Sequence, residues 1–317
     1  MHNSFISVVS VINSPWEKSK VPELLENVYK VCKPAFSDFE IILVNNITGE
    51  SIDPLIDPLQ EDLKHQVSLI NLSNHVNRNN AMLAGLDRSN GDYTVIFDID
   101  TYDHPEVISQ LFEKTREHFD VVYLRAADRK IKLQHRIFYR IFYYIIRNYS
   151  QLKIDEKALN VRIISRRALN SLLRLRENLR YMKAIYSIVG FKTTFIESEI
   201  PLQDENEPFS ERFKTLLVAV SSFTTFLRAT LLRIFLFSIV FLMAVIGNAL
   251  KVKFTGIDVF GIPSENAITG WTFLVVLMSV FFAITCLNLY IMSIYLSNIY
   301  NEIKQRPLYL IESIKRF

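Results

Sequence analysis

The sequence predicts an α/β domain built on a parallel sheet, followed by two membrane-crossing helices. Three observations lead there. Strand-like runs alternate with stretches at helical spacing as far as Ala126. Those runs are apolar almost throughout, the pattern of strands covered on both faces. Beyond Pro208 the composition changes: Leu231–Leu250 and Ile268–Leu296 are long apolar runs in which Arg233 is the one ionised side chain.

The elements follow in order. Phe5–Ile12 reads as a buried first strand, and Val21–Cys32 as a helix with Leu24, Leu25, Val28 and Val31 on one face. "FEIILVNN" is a second strand and, after a polar loop, "VSLINLS" a third. "NRNNAMLAGLDRS" is helical and stops near Asn90-Gly91. "DYTVIFDID" is a fourth strand, "PEVISQLFEKTREHF" a helix opened by Pro105, and "DVVYLRA" a fifth strand. In sheets of this kind ligands bind beyond the carboxyl ends of the strands.

Each late apolar run exceeds the roughly 20 residues that cross a bilayer as a helix. A buried core helix of a soluble protein is the alternative, but two such lengths near one terminus speak against it. No basic region followed by a short apolar stretch opens the chain, so no cleavable signal peptide is expected. Arg212, Lys214, Arg228 and Arg233 lie at or before the first run, and Lys304, Arg306, Lys315 and Arg316 follow the second. The connection between them has only Lys251 and Lys253, with Asp258 and Glu265 beyond. This bias predicts both chain ends and the α/β domain in the cytosol and a short external loop. The expected organisation is residues 1–208 as the α/β domain, 209–230 as an amphipathic juxtamembrane segment, and 231–317 as the two spans and a cytosolic tail.

A net charge of +3 gives no footprint for nucleic acid. Two cysteines, Cys32 and Cys286, without metal-ligand neighbours, exclude a disulfide framework and a zinc site.

Chemistry concentrates where the fourth strand ends. Asp98 and Asp100 sit one residue apart, and a period of two points both to the same side. Adjacent carboxylates repel unless a cation lies between them. Mg²⁺ and Mn²⁺ take such oxygen ligands while keeping positions for substrate phosphates. The Asp-x-Asp tripeptide alone is a weak signal; its place at a strand end strengthens it. Farther on, "KIKLQHRIFYRIFYYIIRNYS" sets Lys132, Arg136, Arg140 and Arg147 near one helical face among aromatic and aliphatic residues. That fits a helix in the headgroup layer of an anionic membrane, near 132–149, or else a core helix with a solvated basic side.

The order of these parts resembles the polyprenyl-phosphate glycosyltransferases of glycosyltransferase family 2. The segments that carry the likeness are "AMLAGLDRSNGDYTVIFDIDTYDHPEVI", the basic-aromatic helix, "VRIISRRAL", "VGFKTT" and, after the spans, "IYNEIKQRPLYLIES". The likeness extends to the bactoprenol glucosyltransferases of O-antigen modification and, more distantly, to dolichyl-phosphate mannose synthases. The Gln-x-x-Arg-Trp motif of processive synthases is absent from the sequence.

The resemblance implies a GT-A fold that moves a sugar from a nucleotide sugar, usually a UDP-sugar, to undecaprenyl phosphate. The product would be a lipid-linked monosaccharide for cell-surface glycan, made with inversion at the cytosolic face of a bacterial inner membrane. It implies Mg²⁺ or Mn²⁺ on Asp98 and Asp100, with Asp100 the more direct ligand and Asp103 a third catalytic acid. It implies nucleotide contacts from Asn13, Asn45, Asn46, Arg78 and Asp98. Phosphate or lipid contacts are implied for Arg125, Arg136, Arg140, Arg166, Arg212 and Lys214; Arg166 and Arg167 match the family's Ser-Arg-Arg, and for either of these two a structural salt bridge is the equal alternative. Relatives also suggest a homo-oligomer, a tetramer.

Departures mark the donor side. Val44-Asn45-Asn46-Ile47-Thr48 stands where relatives read Val-Asp-Asp-Gly-Ser, and an asparagine amide donates as well as accepts. Tyr102 replaces a glutamine, Lys157–Val161 replaces Asp-x-Gly-Asp-Phe, and "ENEPFSERF" replaces a Ser-Lys-Tyr-Ser segment. These changes leave open a transferase with a non-UDP donor, or an inactive relative serving as a membrane scaffold.

Overall fold

The structure, a computed structural model, describes residues 1–127, 129–130, 133–150, 154–175, 190–200, 202–203, 213, 216–217, 219–221, 223–257, 259, 261, 270–304 and 306–317. β1 (His2–Ile12) leads through the single turn α1 (Pro15–Ser19) into α2 (Val21–Ala35) and β2 (Phe36–Asn45). Short helices α3 (Asp53–Ile56) and α4 (Glu61–Lys64) precede β3 (Val67–Leu72). Next come α5 (Arg78–Leu86), β4 (Tyr93–Ile96), a 3-10 turn (Ile99–Thr101), α6 (Val107–Thr115) and β5 (Val121–Ala126). The short β6 (Arg129–Lys130) leads to α7 (Leu133–Tyr149), β7 (Ala158–Ser165), α8 (Arg166–Arg174), β8 (Thr193–Ser198) and β9 (Leu202–Gln203). Two long helices, α9 (Phe226–Thr255) and α10 (Gly270–Ile303), are followed by a last strand, β10 (Ile311–Arg316).

Eight strands form the main sheet in the order β10-β3-β2-β1-β4-β7-β5-β8. Alternation along the strands sorts their side chains into two cores. Ile6 and Val8 of β1, Ile41 and Leu43 of β2, and Val95 of β4 pack with Leu24, Leu25 and Val28 of α2 and Leu111 of α6. Val9 and Val11, Ile42 and Val44, and Ile96 pack on the other face with Ala81 and Ala84 of α5 and Leu169 of α8. Both faces are therefore buried, and the strands read as continuous apolar runs for that reason. Each of these buried Val, Leu and Ile side chains contributes about 1.5–3 kcal/mol relative to an exposed one.

The sheet is mixed, which corrects the expectation of a parallel one. β7 runs antiparallel to both β4 and β5. β5 ends at the sheet's carboxyl edge, the described helix that follows, α7, packs on Leu216, Ala219 and Val220, and β7 begins opposite Arg125 at that same edge. β7 must therefore run back. The residues expected as a tail form a strand, β10, antiparallel to the outer edge of β3. "IESIKR" has no apolar run to announce it, and its charges suit an edge strand. The fourth strand is also shorter than expected, ending at Ile96.

α9 and α10 are longer than the apolar runs that predicted them and are long and apolar enough to cross a membrane. Their most apolar windows are 0% and 6% buried, unlike core helices of a soluble protein. α7 packs Phe142, Tyr143 and Ile146 against Leu216, Ala219 and Val220, helical residues of the juxtamembrane segment. Its side facing away from that packing leaves Ile137, Ile141 and Tyr144 exposed.

Gly91, in the turn before β4, has no room for a side chain. A Cβ there would lie 2.6 Å from Ser7 N, 2.8 Å from Phe5 O and 2.9 Å from Ile6 C, all main-chain atoms of β1. Gly91→Ala is therefore expected to destabilise the domain by about 1–3 kcal/mol or more. Thermal unfolding in detergent checks this, and an unchanged midpoint would contradict the close approach. Burial also pushes the Cys32 thiol up to about 12. Maleimide at neutral pH is accordingly expected to leave Cys32 unlabelled in the folded protein and to modify it only after denaturation, as peptide mapping would reveal.

Candidate functional site

The carboxyl edge of β1, β2 and β4 gathers most of the residues marked by the sequence. β1 ends at Ile12, and the Asn46 N–H donates to the Ile12 carbonyl at 2.9 Å, so the loops after β1 and β2 start side by side. Next, Ser14-Pro15-Trp16-Glu17 starts α1. Ser14 Oγ accepts from the Glu17 N–H at 3.3 Å, while Glu17 Oε2 reaches back to accept from the Asn13 N–H at 2.6 Å. This is a capping-box pattern with the return bond displaced by one residue.

Glu17 anchors a charged chain. Its Oε1 accepts from Arg78 Nη1 at 2.8 Å, and Arg78 Nη2 donates to Asp98 Oδ1. Asn160 Nδ2, from β7, donates to the other Asp98 oxygen at 3.1 Å. The side chains of Glu17, Arg78 and Asp98 are only 10%, 17% and 13% exposed, so one guanidinium neutralises two carboxylates in a largely dry place. Arg78 is delivered by the start of α5, which Asn77 caps by accepting from the Asn79 N–H at 2.8 Å.

The asparagines expected to touch nucleotide spend their amides on protein. Asn46 Oδ1 accepts from the Val76 N–H at 2.9 Å, and its Nδ2 donates to the Val76 carbonyl at 2.7 Å and to Asn13 Oδ1. Asn45 Nδ2 donates to the Glu50 carbonyl at 2.8 Å and to Asn71 Oδ1 at 3.0 Å, and its Oδ1 accepts from the Ile47 N–H at 3.1 Å. Both residues are almost fully buried. These bonds shape the loop, and there is a physical reason why asparagine rather than aspartate stands here. An ionised carboxylate has no N–H to give, and at position 46 it would meet the Val76 carbonyl unpaired.

Asp100 lies in the 3-10 turn after Asp98, exposed, so strand periodicity does not set the direction of the pair. The Asp98 carbonyl accepts from the Thr101 N–H at 3.0 Å and from Thr101 Oγ1 at 2.6 Å, and these bonds fix the turn. Asp103 is also exposed, 3.8 Å from His104 Nε2. Among the described residues no three His, Cys, Asp or Glu side chains converge as a ready metal cage.

The basic residues divide. Arg125, at the end of β5, lies on the same edge two strands away from Asp98. Its Nε approaches Asp155 Oδ2 at 3.2 Å, off the line of a hydrogen bond, and its guanidinium lies over the Phe195 ring at 4.7 Å. Tyr123 donates to the same Asp155 oxygen at 2.9 Å. Burial, helped by that bond, pushes the Tyr123 hydroxyl up to about 12. Arg140 is exposed on α7; Arg136 is on the same helix, its side chain outside the described residues, as are Arg212 and Lys214.

Arg166 corrects a prediction. It follows β7 at the amino end of β4, across the sheet from Asp98, and donates to the carbonyls of Ser89 and Gly91. It therefore holds the turn before β4. Its neighbour Arg167 pairs with Asp120, whose carboxyl burial pushes up but whose bonds to Arg167 and Ser165 hold below the usual range.

Sequence reasoning missed Glu17 and Asn71 and counted Asn160 only as a departure. The Ser-x-x-Glu spacing could have singled out Glu17. Asn71 and Asn160 carry no local signal, because strand pairing alone brings them to the site.

Comparison with known proteins agrees with the geometry. The model of "Glycosyl transferase family 2" matches residues 8–173, the span that builds the edge just described. The chain is 27% identical over 304 residues to an uncharacterised glycosyltransferase of Synechocystis, covering 94% of this chain and 92% of that protein. It is 28% identical over 316 residues to a prophage bactoprenol glucosyl transferase homolog of Escherichia coli, covering 98% of each. It is 25% identical over 321 residues to an undecaprenyl-phosphate 4-deoxy-4-formamido-L-arabinose transferase of Photorhabdus laumondii, covering 98% of this chain and 94% of that one. With over half its length matched across the strands that form the site, the chain belongs to glycosyltransferase family 2 and is a transferase of GT-A type.

Proposed function

We propose that the protein transfers a sugar from a nucleotide sugar, of the UDP class, to undecaprenyl phosphate at the cytosolic face of a bacterial inner membrane, with inversion. One observation carries this reading: the acidic turn Asp98–Asp100 and the Asn45–Glu50 loop share one edge of a domain whose chain continues into two exposed apolar helices. Relatives named for bactoprenol and undecaprenyl phosphate, similar over nearly their full length, support the acceptor class.

The chemistry asks little of a base. The second pKa of a phosphate monoester is about 6, so the acceptor is largely ionised near neutrality. Its oxygen attacks the anomeric carbon, the carbon–oxygen bond to the diphosphate breaks, and the nucleoside diphosphate leaves with that electron pair. The protein has to align the acceptor behind the anomeric carbon and stabilise the departing charge. Asp98, fixed by Arg78 and Asn160, and the exposed Asp100 fit Mg²⁺ or Mn²⁺, which commonly binds one or two carboxylates together with substrate phosphates. When bound, that cation supplies charge neutralisation for the diphosphate. The loop braced by Asn45 and Asn46 holds the nucleoside, and Arg125 lies on the acceptor side of the edge.

Placement at a membrane follows from α7, α9 and α10. Ile137, Ile141 and Tyr144 are exposed on α7 beside Arg140 and Arg147, an arrangement suited to an anionic headgroup layer. Arg233 Nη2 donates to Tyr149 Oη at 2.6 Å and ties α7 to the start of α9. The chain enters α9 from the α/β domain and returns after α10 to its sheet, which supports a helical hairpin with both ends on the domain's side.

Asp100→Asn is expected to lower sugar transfer at least about 10²-fold while the protein unfolds at the wild-type temperature. EDTA should have the same effect on the wild type and Mn²⁺ should reverse it; full turnover by either preparation would remove Asp100 and the cation from the mechanism. Placing a charge on the exposed stripe with Ile141→Asp is expected to raise the KM for undecaprenyl phosphate in vesicles containing phosphatidylglycerol, with nucleotide affinity unchanged. An unaltered KM would assign that stripe no part in meeting the bilayer.

A further inference from the structure

The chain's last strand reaches the donor loop by two routes. In the first, three polar side chains stand abreast on three neighbouring strands: Ser313 of β10 is in register with Asn71 of β3, and Asn71 with Asn45 of β2. Asn71 Nδ2 donates to Ser313 Oγ at 3.0 Å, and Asn71 Oδ1 accepts from Asn45 Nδ2 at 3.0 Å. Asn45 then passes the restraint to the loop through the Glu50 carbonyl and the Ile47 N–H. In the second route Lys315 Nζ donates to Asp53 Oδ2, an oxygen that also accepts from Ser51 Oγ at 2.9 Å. Asp53 opens α3, where the loop ends.

Two residues spaced by two on β10 thus reach both ends of the loop between β2 and α3. An edge strand that only completed a sheet would need main-chain pairing alone, which β10 already has. The side-chain ladder adds a connection between strands that backbone pairing does not specify. β10 is also separated from the end of α10 at Ile303 by one short segment, so its docking is linked to the seating of the helical hairpin.

We propose that β10 is a positioning element for the donor loop, and that Ser313 and Lys315 hold residues 46–52 in the conformation that accepts a nucleoside diphosphate. This rests on the reading of that loop as nucleotide-binding. It makes donor affinity depend on the strand that follows the second apolar helix, far from the diphosphate along the chain. The ligand class is a nucleoside diphosphate, and the two residues act on it only through Asn71, Asn45 and Asp53.

The test uses the full chain in detergent micelles. Wild type, Ser313→Ala, Lys315→Ala, the double variant and a Ser313→Thr variant that keeps the hydroxyl are titrated calorimetrically with UDP, GDP, CDP and dTDP in the presence of Mn²⁺. Amide exchange is followed by mass spectrometry, with Arg316→Ala as a control on the same strand. The double variant is expected to bind the wild type's preferred nucleotide roughly fivefold to tenfold more weakly, as loss of a restraining hydrogen bond or two implies. In the double variant exchange should rise across residues 46–52 and stay unchanged in β1 and β4, whereas Ser313→Thr should keep wild-type affinity and exchange. Wild-type affinity in the double variant overturns the proposal, and so does weaker binding with exchange raised evenly across the sheet. If the wild type itself binds none of the four nucleotides, the donor reading fails and the inference with it, a result distinguishable because it appears before any variant is measured.

Discussion

The site depends on one guanidinium. Arg78 lies between Glu17 and Asp98, contributed by α1 and by the turn after β4, and it is the only described group hydrogen-bonded to both. Three separate connections, after β1, after β3 and after β4, are joined at that point. Breaking a buried pair of this kind by removing one partner typically costs about 3–5 kcal/mol, because the other charge is left behind. Here two would be left. The acid turn can stay ordered before any substrate arrives because its first carboxylate is already neutralised and hydrogen-bonded on both oxygens.

That arrangement divides the work between the two acids. Asp98 is held by the protein through one bond to each carboxylate oxygen, which leaves acceptor capacity on both. Asp100 is exposed two residues later, in the 3-10 turn, where the proposed reading places the substrate diphosphate. The asparagines show the same economy. Asn45 and Asn46 have amides that donate and accept at once, and each uses them to stitch a loop that a pair of carboxylates would force apart. A departure from a family pattern is thereby compensated within the same few residues.

Much of this was legible in the sequence, for reasons that also explain what was not. Local patterns carried the first five strands and the helices between them: apolar runs, helical spacing and the Asp-x-Asp at a strand end all report what neighbours in sequence do. The direction of β7 was not legible, because it depends on which edge the chain happens to leave at Ala126. β10 was hidden for a different reason, since an edge strand of charged and apolar residues looks like a tail until its partner is known. Glu17 could have been found from its cap, whereas Asn71 and Asn160 meet their partners only through pairing of distant strands. Of the two roles left open for Arg166 the structural one holds, because a match to a motif says nothing of which edge of the sheet a residue faces.

The return of the chain to β3 after the two apolar helices has a mechanical meaning. A domain hung from a bilayer by one linker swivels and tilts, and its pocket meets the surface at many angles. In the proposed reading this domain is fastened twice to its apolar helices, once where Tyr149 and Arg233 join α7 to α9 and once by a strand laid along the sheet's far edge. Two separated attachments leave rotation about a single line, like a door on its hinges. With the apolar helices in a bilayer, as proposed, a molecule carried in its plane would meet the strand ends within a narrow range of angles, and much of the search for a reactive orientation would be over before the encounter.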